Sequence, residues 1–163
     1  LLATGNKSEL SVGYSTLYGD MCGGLAPIGD LFKTDVYRLA DFLNREKICV
    51  PINSVKKAPS AELRPNQTDQ DSLPPYAELD RMLNFLVEQE MSFAEAELAL
   101  KAEGLSVDSK VLREIEKRVW HNEFTRNQFA PILRVSNKAF GIGRRYPLTK
   151  AIPEFHLGSS GLS

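Results

Sequence analysis

The opening twenty residues constrain this chain more than any other stretch. Leu1-Leu-Ala-Thr-Gly-Asn-Lys-Ser-Glu9 runs on through Tyr14-Ser-Thr-Leu-Tyr-Gly-Asp20. Small apolar residues at its start suit the end of a buried strand. Thr4-Gly5-Asn6 then breaks the run with a turn signal. Lys7, Ser8 and Glu9 follow, leading a mildly helical run that holds Leu10, Val12, Gly13 and Leu17. A strand, a polar turn and a helix start make a place to hold an anion, because free backbone N–H groups and the positive end of the helix dipole face the turn. Thr4 and Ser8 would add hydroxyls, Lys7 a charge, and Glu9 oxygens for a hard cation. The plainer alternative is a strand–loop–helix connection capped by Ser8 or Asn6.

The chain has 163 residues, 42% hydrophobic and 25% charged, which fits one soluble globular domain. Twenty basic and 21 acidic residues leave a net charge of −1, so charge gives no argument for nucleic acid or an anionic membrane as partner. No apolar run is long enough to span a bilayer, and the start lacks the basic leader of a signal peptide. Cys22 and Cys49 form no CxxC pair and read as reduced thiols of a cytoplasmic protein. The chain begins at Leu1 as if inside a structural element, so a fragment of a longer protein is expected.

Gly19-Asp-Met-Cys-Gly-Gly24 is a glycine-rich loop, and Pro27-Ile-Gly-Asp30 a further turn. Lys33 to Asn44 reads as an amphipathic helix with Val36, Leu39, Ala40 and Leu43 at helical spacing. Lys33 at its start opposes the dipole, so either an anionic ligand or solvent exposure must account for it. Lys56 to Pro75 lacks any period and is expected to be a long loop, a length that is functional or disordered in compact domains. Asp69 and Asp71 either share a cation there or act as solvated or capping carboxylates. Tyr76 to Glu90 is a helix with Leu79, Met82, Leu83 and Leu86 on one face. Ser92-Phe-Ala-Glu95 matches a capping box for a second helix ending at Gly104. Asp108 or Ser109 starts a third, with Val111, Ile115 and Val119 inside. His121 has no partner at metal-ligand spacing. Arg144 and Arg145 either pair with a phosphate or carboxylate or are solvated in a turn.

Six segments together resemble one family: Thr4-Gly-Asn-Lys-Ser-Glu9, Tyr18-Gly-Asp20, Lys33-Thr34, Pro59-Ser-Ala-Glu-Leu63, Asp69-Gln-Asp-Ser-Leu-Pro-Pro-Tyr76 and Arg144-Arg-Tyr-Pro147. Their order is that of the NAD synthetases of the glutamine-dependent bacterial type. The resemblance implies that residues 1–150 are the carboxyl-terminal part of the synthetase domain and that 151–163 form a flexible tail. The implied fold class is α/β, a partial ATP pyrophosphatase (adenine nucleotide α-hydrolase-like) domain with parallel strand(s) followed by a mainly helical carboxyl-terminal half.

The implied reaction is ATP-dependent amidation of deamido-NAD to NAD through an adenylated intermediate. In this type an upstream nitrilase-like glutaminase domain supplies the ammonia. Neither that domain nor the family's Ser-Gly-Gly-x-Asp-Ser phosphate loop lies within the 163 residues, so the chain alone is expected to be inactive. The resemblance makes Lys33 catalytic, with Thr4, Lys33 and Ser60 as ATP contacts. It makes Tyr14, Leu17, Thr125 and Arg126 deamido-NAD contacts, and Glu9 either a deamido-NAD contact, as in the glutamine-dependent type, or a ligand of Mg2+, as in the ammonia-dependent relatives. Gly24 and Leu17 stand where ammonia-dependent members carry Asp and Lys, and Thr125 stands where a Lys is common. A homodimer or higher homo-oligomer is expected. The alternatives are another amide-forming ligase of the same group, or a non-catalytic interaction module.

Overall fold

The computed structural model describes residues 1–60 and 67–148, and the expected flexible tail at 151–163 lies outside them. Seven α-helices are described. They are α1 (Lys7–Val12), α2 (Lys33–Leu43), α3 (Ile52–Lys56), α4 (Tyr76–Leu83), α5 (Phe93–Ala102), α6 (Ser109–His121) and α7 (Glu123–Arg126). Local chemistry sets most of their ends. Asn6 caps α1 by accepting the Glu9 N–H, and the Glu9 side chain returns the bond to the Asn6 N–H, a complete capping box. Ser92 and Glu95 do the same for α5, as the spacing predicts. Gly104 follows α5 in the left-handed region at φ +77°, and Asp108 caps α6.

The expected parallel strand is not formed among the described residues. Leu2 pairs with Leu25, and Ala26 with Ile132, as isolated parallel bridges. Leu1 and Leu2 are exposed rather than buried. Residues 25 and 26 have a partner on each side and Ala26 is buried, but each pairing is a single bridge, too short to form a ladder.

The core lies between α1, α4, α5 and α6. Leu10 and Val12 from α1 meet Leu79, Met82, Leu83, Leu86, Leu100, Leu112, Ile115 and Val119. The stripe predicted on α4 is buried throughout. On α6 the stripe runs through Leu112, Ile115 and Val119, and Val111 is turned outward. Each fully buried Leu contributes about 1.5–3 kcal/mol in transfer free energy.

Two departures reshape the expected helices. After Leu83 the ladder widens into a π-helical turn over Asn84–Glu88, where the Gln89 N–H reaches the Asn84 carbonyl at 3.0 Å. α2 forms at its predicted position, yet none of its residues is buried, and Leu39, Phe42 and Leu43 face solvent. Its period marked a helix correctly, but only Val36 and Ala40 of the stripe are half-buried, while Leu39 and Leu43 stay exposed among the described residues.

The two ends of the described chain meet at Lys7. This lysine is fully buried, with its Nζ 2.7 Å from Asp30 Oδ1, bonded to Glu88, and 2.9 Å from Ser136 Oγ. Asp30 also accepts the N–H groups of Val135 and Ser136. Such a pair is sustainable because every partner is hydrogen-bonded.

Candidate functional site

The turn before α1 is not an open cradle. The Thr4 N–H donates to the Asp20 carbonyl, the Asn6 N–H to Glu9, the Lys7 N–H to the Leu31 carbonyl and the Glu9 N–H to Asn6. The Lys7 ammonium points inward to Asp30 rather than into the turn. The Ser8 hydroxyl is also engaged: it donates to Asp80 and accepts the Lys33 N–H at 2.9 Å. The Thr34 N–H donates to the other Asp80 oxygen at 2.8 Å. Asp80 from α4 and Ser8 from α1 thus cap the first turn of α2, whose own cap residue, Phe32, has no side-chain acceptor. Burial drives the Asp80 pKa above its ordinary value despite the bonds from Ser8 and Thr34.

Lys33 stands beside this capped turn. Its Nζ lies 3.0 Å from Glu9 Oε1 and 5.4 Å from the centre of the Tyr76 ring. Glu9 and Asp80 together offset the cation that α2 carries at its unfavourable end. In front of Lys33 opens a cavity of about 510 Å³. Thr4, Glu9, Tyr14, Lys33 and Ser60 all line it, together with Asp20, Gln67 and Asp69. Hydroxyls, an ammonium and carboxylates facing one space of this size suit a phosphorylated ligand of nucleotide dimensions. Tyr76 donates its hydroxyl to Asp69 Oδ2 at 2.6 Å. Asp71 instead bonds Thr68, so the two carboxylates expected as a possible cation pair serve different partners. Among the described residues no three His, Cys, Asp or Glu side chains gather as a metal site.

The sequence profile described as NAD synthase matches residues 1–129. The chain belongs to the NAD synthase family. It is 50% identical over 151 residues to the glutamine-dependent NAD(+) synthetase of Synechocystis, which covers 93% of this chain and 26% of that protein. It is 48% identical over 153 residues to the Xylella fastidiosa enzyme of the same name, with 93% and 27% covered. The chain therefore spans about a quarter of the length of the curated relatives it matches. A solved glutamine-dependent NAD(+) synthetase from Cytophaga hutchinsonii superposes with a TM-score of 0.66 at 23% identity, covering 93% of this chain and 24% of that one. That likeness concerns the fold.

The remaining positions expected for an NAD synthase lie away from the cavity. Leu17 lines a separate hollow of about 430 Å³ with Met21, Cys22 and Phe129. Thr125 and Arg126 are both buried in α7. The Arg126 guanidinium donates to the carbonyls of Leu10, Ser11 and Val119 and to Glu123. Burial pushes its pKa down to about 10, against the pull of Glu123. Arg144 is buried as well and pairs with Glu123 at 3.2 Å, so its carboxylate partner belongs to the chain itself. Arg145 donates to the Gly141 carbonyl from the surface.

Sequence reasoning missed Asp80 and Asp30, which hold this site's frame. Asp80 sits in a helix at a position where charge normally faces water, and Asp30 read as a turn residue. Neither position carries a local signal, because the partners are 72 and 23 residues away in sequence.

Proposed function

We propose that this chain is the carboxyl-terminal part of the synthetase domain of a glutamine-dependent NAD synthetase. The reaction is amidation of deamido-NAD: its nicotinate carboxylate attacks the α-phosphorus of ATP, pyrophosphate leaves, and ammonia then displaces AMP. The supporting observation is the convergence of Thr4, Glu9, Tyr14, Lys33 and Ser60 on one cavity, although they are spread from position 4 to position 60. The identity near 50% to enzymes named for this activity supports the same reading.

Each of these five residues has a role in it. Lys33 meets the phosphates, where its charge offsets the negative charge that builds on the leaving pyrophosphate. It must first release Glu9, so ligand binding exchanges one partner for another. Thr4 and Ser60 hydroxyls orient ATP, and Tyr14 supports the dinucleotide. Glu9 fits a magnesium ion, since Mg2+ is commonly held by one or two carboxylates plus substrate phosphates. When bound, that ion would neutralise phosphate charge and polarise the phosphorus under attack. The wider parallel sheet of the ATP pyrophosphatase fold would extend from the bridges at Leu2, Leu25, Ala26 and Ile132.

The same reading places the protein in the cytoplasm, in line with free Cys22 and Cys49 and with no described helix long and apolar enough to cross a membrane. It also calls for an upstream glutaminase domain and a homo-oligomer. The test is NAD formation from ATP, Mg2+, deamido-NAD and ammonium by this chain fused to the upstream segment bearing the phosphate loop. Activity that collapses in Lys33→Ala and Glu9→Ala supports the proposal. An inactive fusion that binds neither nucleotide would leave the interaction module as the better reading.

A further inference from the structure

The cavity contains one buried acceptor that the proposed reaction does not use. Asp69 is 2% exposed and lines the wall beside Ser60 and Gln67. Its Oδ2 accepts the Tyr76 hydroxyl at 2.6 Å, while its Oδ1 is buried and meets no hydrogen-bond donor among the described residues. Buried polar atoms are nearly always paired, so an orphan acceptor on a residue that lines the cavity points to a donor that arrives with the ligand.

The surroundings narrow what that donor is. Burial first, then the bond to Asp69 and the nearby carboxylates of Glu9, Asp69 and Asp80, push the Tyr76 phenol far above its ordinary value. Its hydroxyl therefore keeps its proton and fixes the Asp69 carboxylate by donating to one oxygen. Lys33, 5.4 Å from the centre of the Tyr76 ring, is bonded to Glu9. The magnesium ion of the proposed reaction is assigned to Glu9, and no three ligating side chains gather at Asp69 among the described residues. A hydroxyl or amino N–H fits this acceptor better than a cation does.

We propose that Asp69 is a specificity-determining residue of this cavity: Tyr76 orients its carboxylate, and Oδ1 accepts a hydrogen bond from a hydroxyl or amino group of the bound nucleotide. This rests on the nucleotide reading of the cavity given above. Sites built to pair with a polar group reject analogues lacking it, because the protein acceptor is then left unsatisfied. The donors available on ATP are the ribose hydroxyls and the adenine amine, and deamido-NAD offers the same two.

The experiment is a cycle of protein and ligand changes in the complete synthetase that carries this segment, driven by ammonium. Wild type, Asp69→Asn and Tyr76→Phe are assayed with ATP, 2′-deoxyATP, 3′-deoxyATP and purine riboside triphosphate, which lacks the amine. Asn keeps an oxygen for Tyr76 and turns an NH₂ donor into the cavity. The expected result is that one analogue loses about tenfold in kcat/KM with wild type but shows no further loss with Asp69→Asn, a non-additive cycle. That analogue names the donor. A KM rise in Asp69→Asn confined to deamido-NAD assigns the donor to the dinucleotide.

Equal losses for every analogue in wild type and Asp69→Asn, with both dinucleotide KM values unchanged, overturn the proposal. A rise confined to the ammonium KM does so too. If Asp69→Asn does not fold, Tyr76→Phe carries the test: undiminished discrimination in it is a negative result. Wild-type enzyme that makes no NAD sinks the synthetase reading alone, since the same cycle is then read by calorimetric binding of ATP and its analogues.

Discussion

Lys33 and Glu9 hold each other at 3.0 Å across the cavity mouth, although both are expected to act on ligand. Their side chains are only 17% and 16% exposed, so the pair is mostly shielded from water, though less completely than Lys7 and Asp30. In the fused synthetase, Lys33→Met and Glu9→Gln should each lower ammonium-driven kcat/KM by about 100-fold or more, the scale of losing a group that stabilises developing charge. Thermal unfolding of either variant should show a smaller loss than Lys7→Met, whose pair is fully buried. A large drop in melting temperature would turn the pair into a structural element.

Lys7 has the opposite character. Replacing it with Met strands Asp30 as a buried carboxylate, and breaking such a pair costs about 3–5 kcal/mol. Urea unfolding of Lys7→Met should show that loss. The double variant Lys7→Met, Asp30→Asn should lose less than the sum of the singles, because the second change removes the stranded charge.

Acid should weaken the fold through Asp30. Burial works to raise its pKa, but the Lys7 ammonium, the N–H groups of Val135 and Ser136 and the Ser136 hydroxyl outweigh it and hold the pKa below the ordinary 3.8. A depressed carboxylate pKa gives stability that is present above the unfolded value and lost as pH falls through the folded one. The stability gap between wild type and Asp30→Asn should therefore be full at pH 6 and shrink below pH 4. Asp80, with its raised pKa, acts in the other sense in both proteins, so the comparison cancels it.

Arg126 should prove structural. Its guanidinium joins α7 to the carbonyl end of α1 through Leu10 and Ser11. Arg126→Ala leaves those carbonyls and Glu123 short of donors and should cost about 3–5 kcal/mol in chemical unfolding. Arg126→Lys retains the charge without the fork and should fall between. The KM for deamido-NAD in the Lys variant should stay near wild type; a selective rise there would return Arg126 to the ligand.

Gly13 ends α1 at φ +68°, and a Cβ on it would lie 1.9 Å from Asn122 Oδ1. Asn122 is held in place by its bonds to the Val12 and Arg118 carbonyls. Gly13→Ala should destabilise by more than the roughly 1–2 kcal/mol of the left-handed backbone alone. In an Asn122→Ala background the excess should vanish and the backbone part remain, as read by differential scanning calorimetry.

What the sequence disclosed was whatever is decided within a few residues. The Ser92 to Glu95 capping box, the Asp108 cap and the α4 stripe are local, and all stand where the spacing puts them. The inward turn of Lys7 was not legible, because its partners lie 23, 81 and 129 residues away. The α2 stripe misled in another way: period fixes helix type, but only the rest of the fold decides whether a face is covered. The gathering of Thr4, Glu9, Lys33 and Ser60 came from motif order, since no spacing rule joins a turn, a helix start and an irregular loop.

The reach of Lys7 also dictates when the frame can close during synthesis. Its Ser136 contact requires 129 more residues, roughly 6–26 s of elongation at about 5–20 residues per second. Until then a cation meant for the interior waits beside half-built apolar surfaces. Within this segment the turn at Lys7 emerges well before the partner that completes its frame, so misassembly is most favoured over the interval between Lys7 and Ser136.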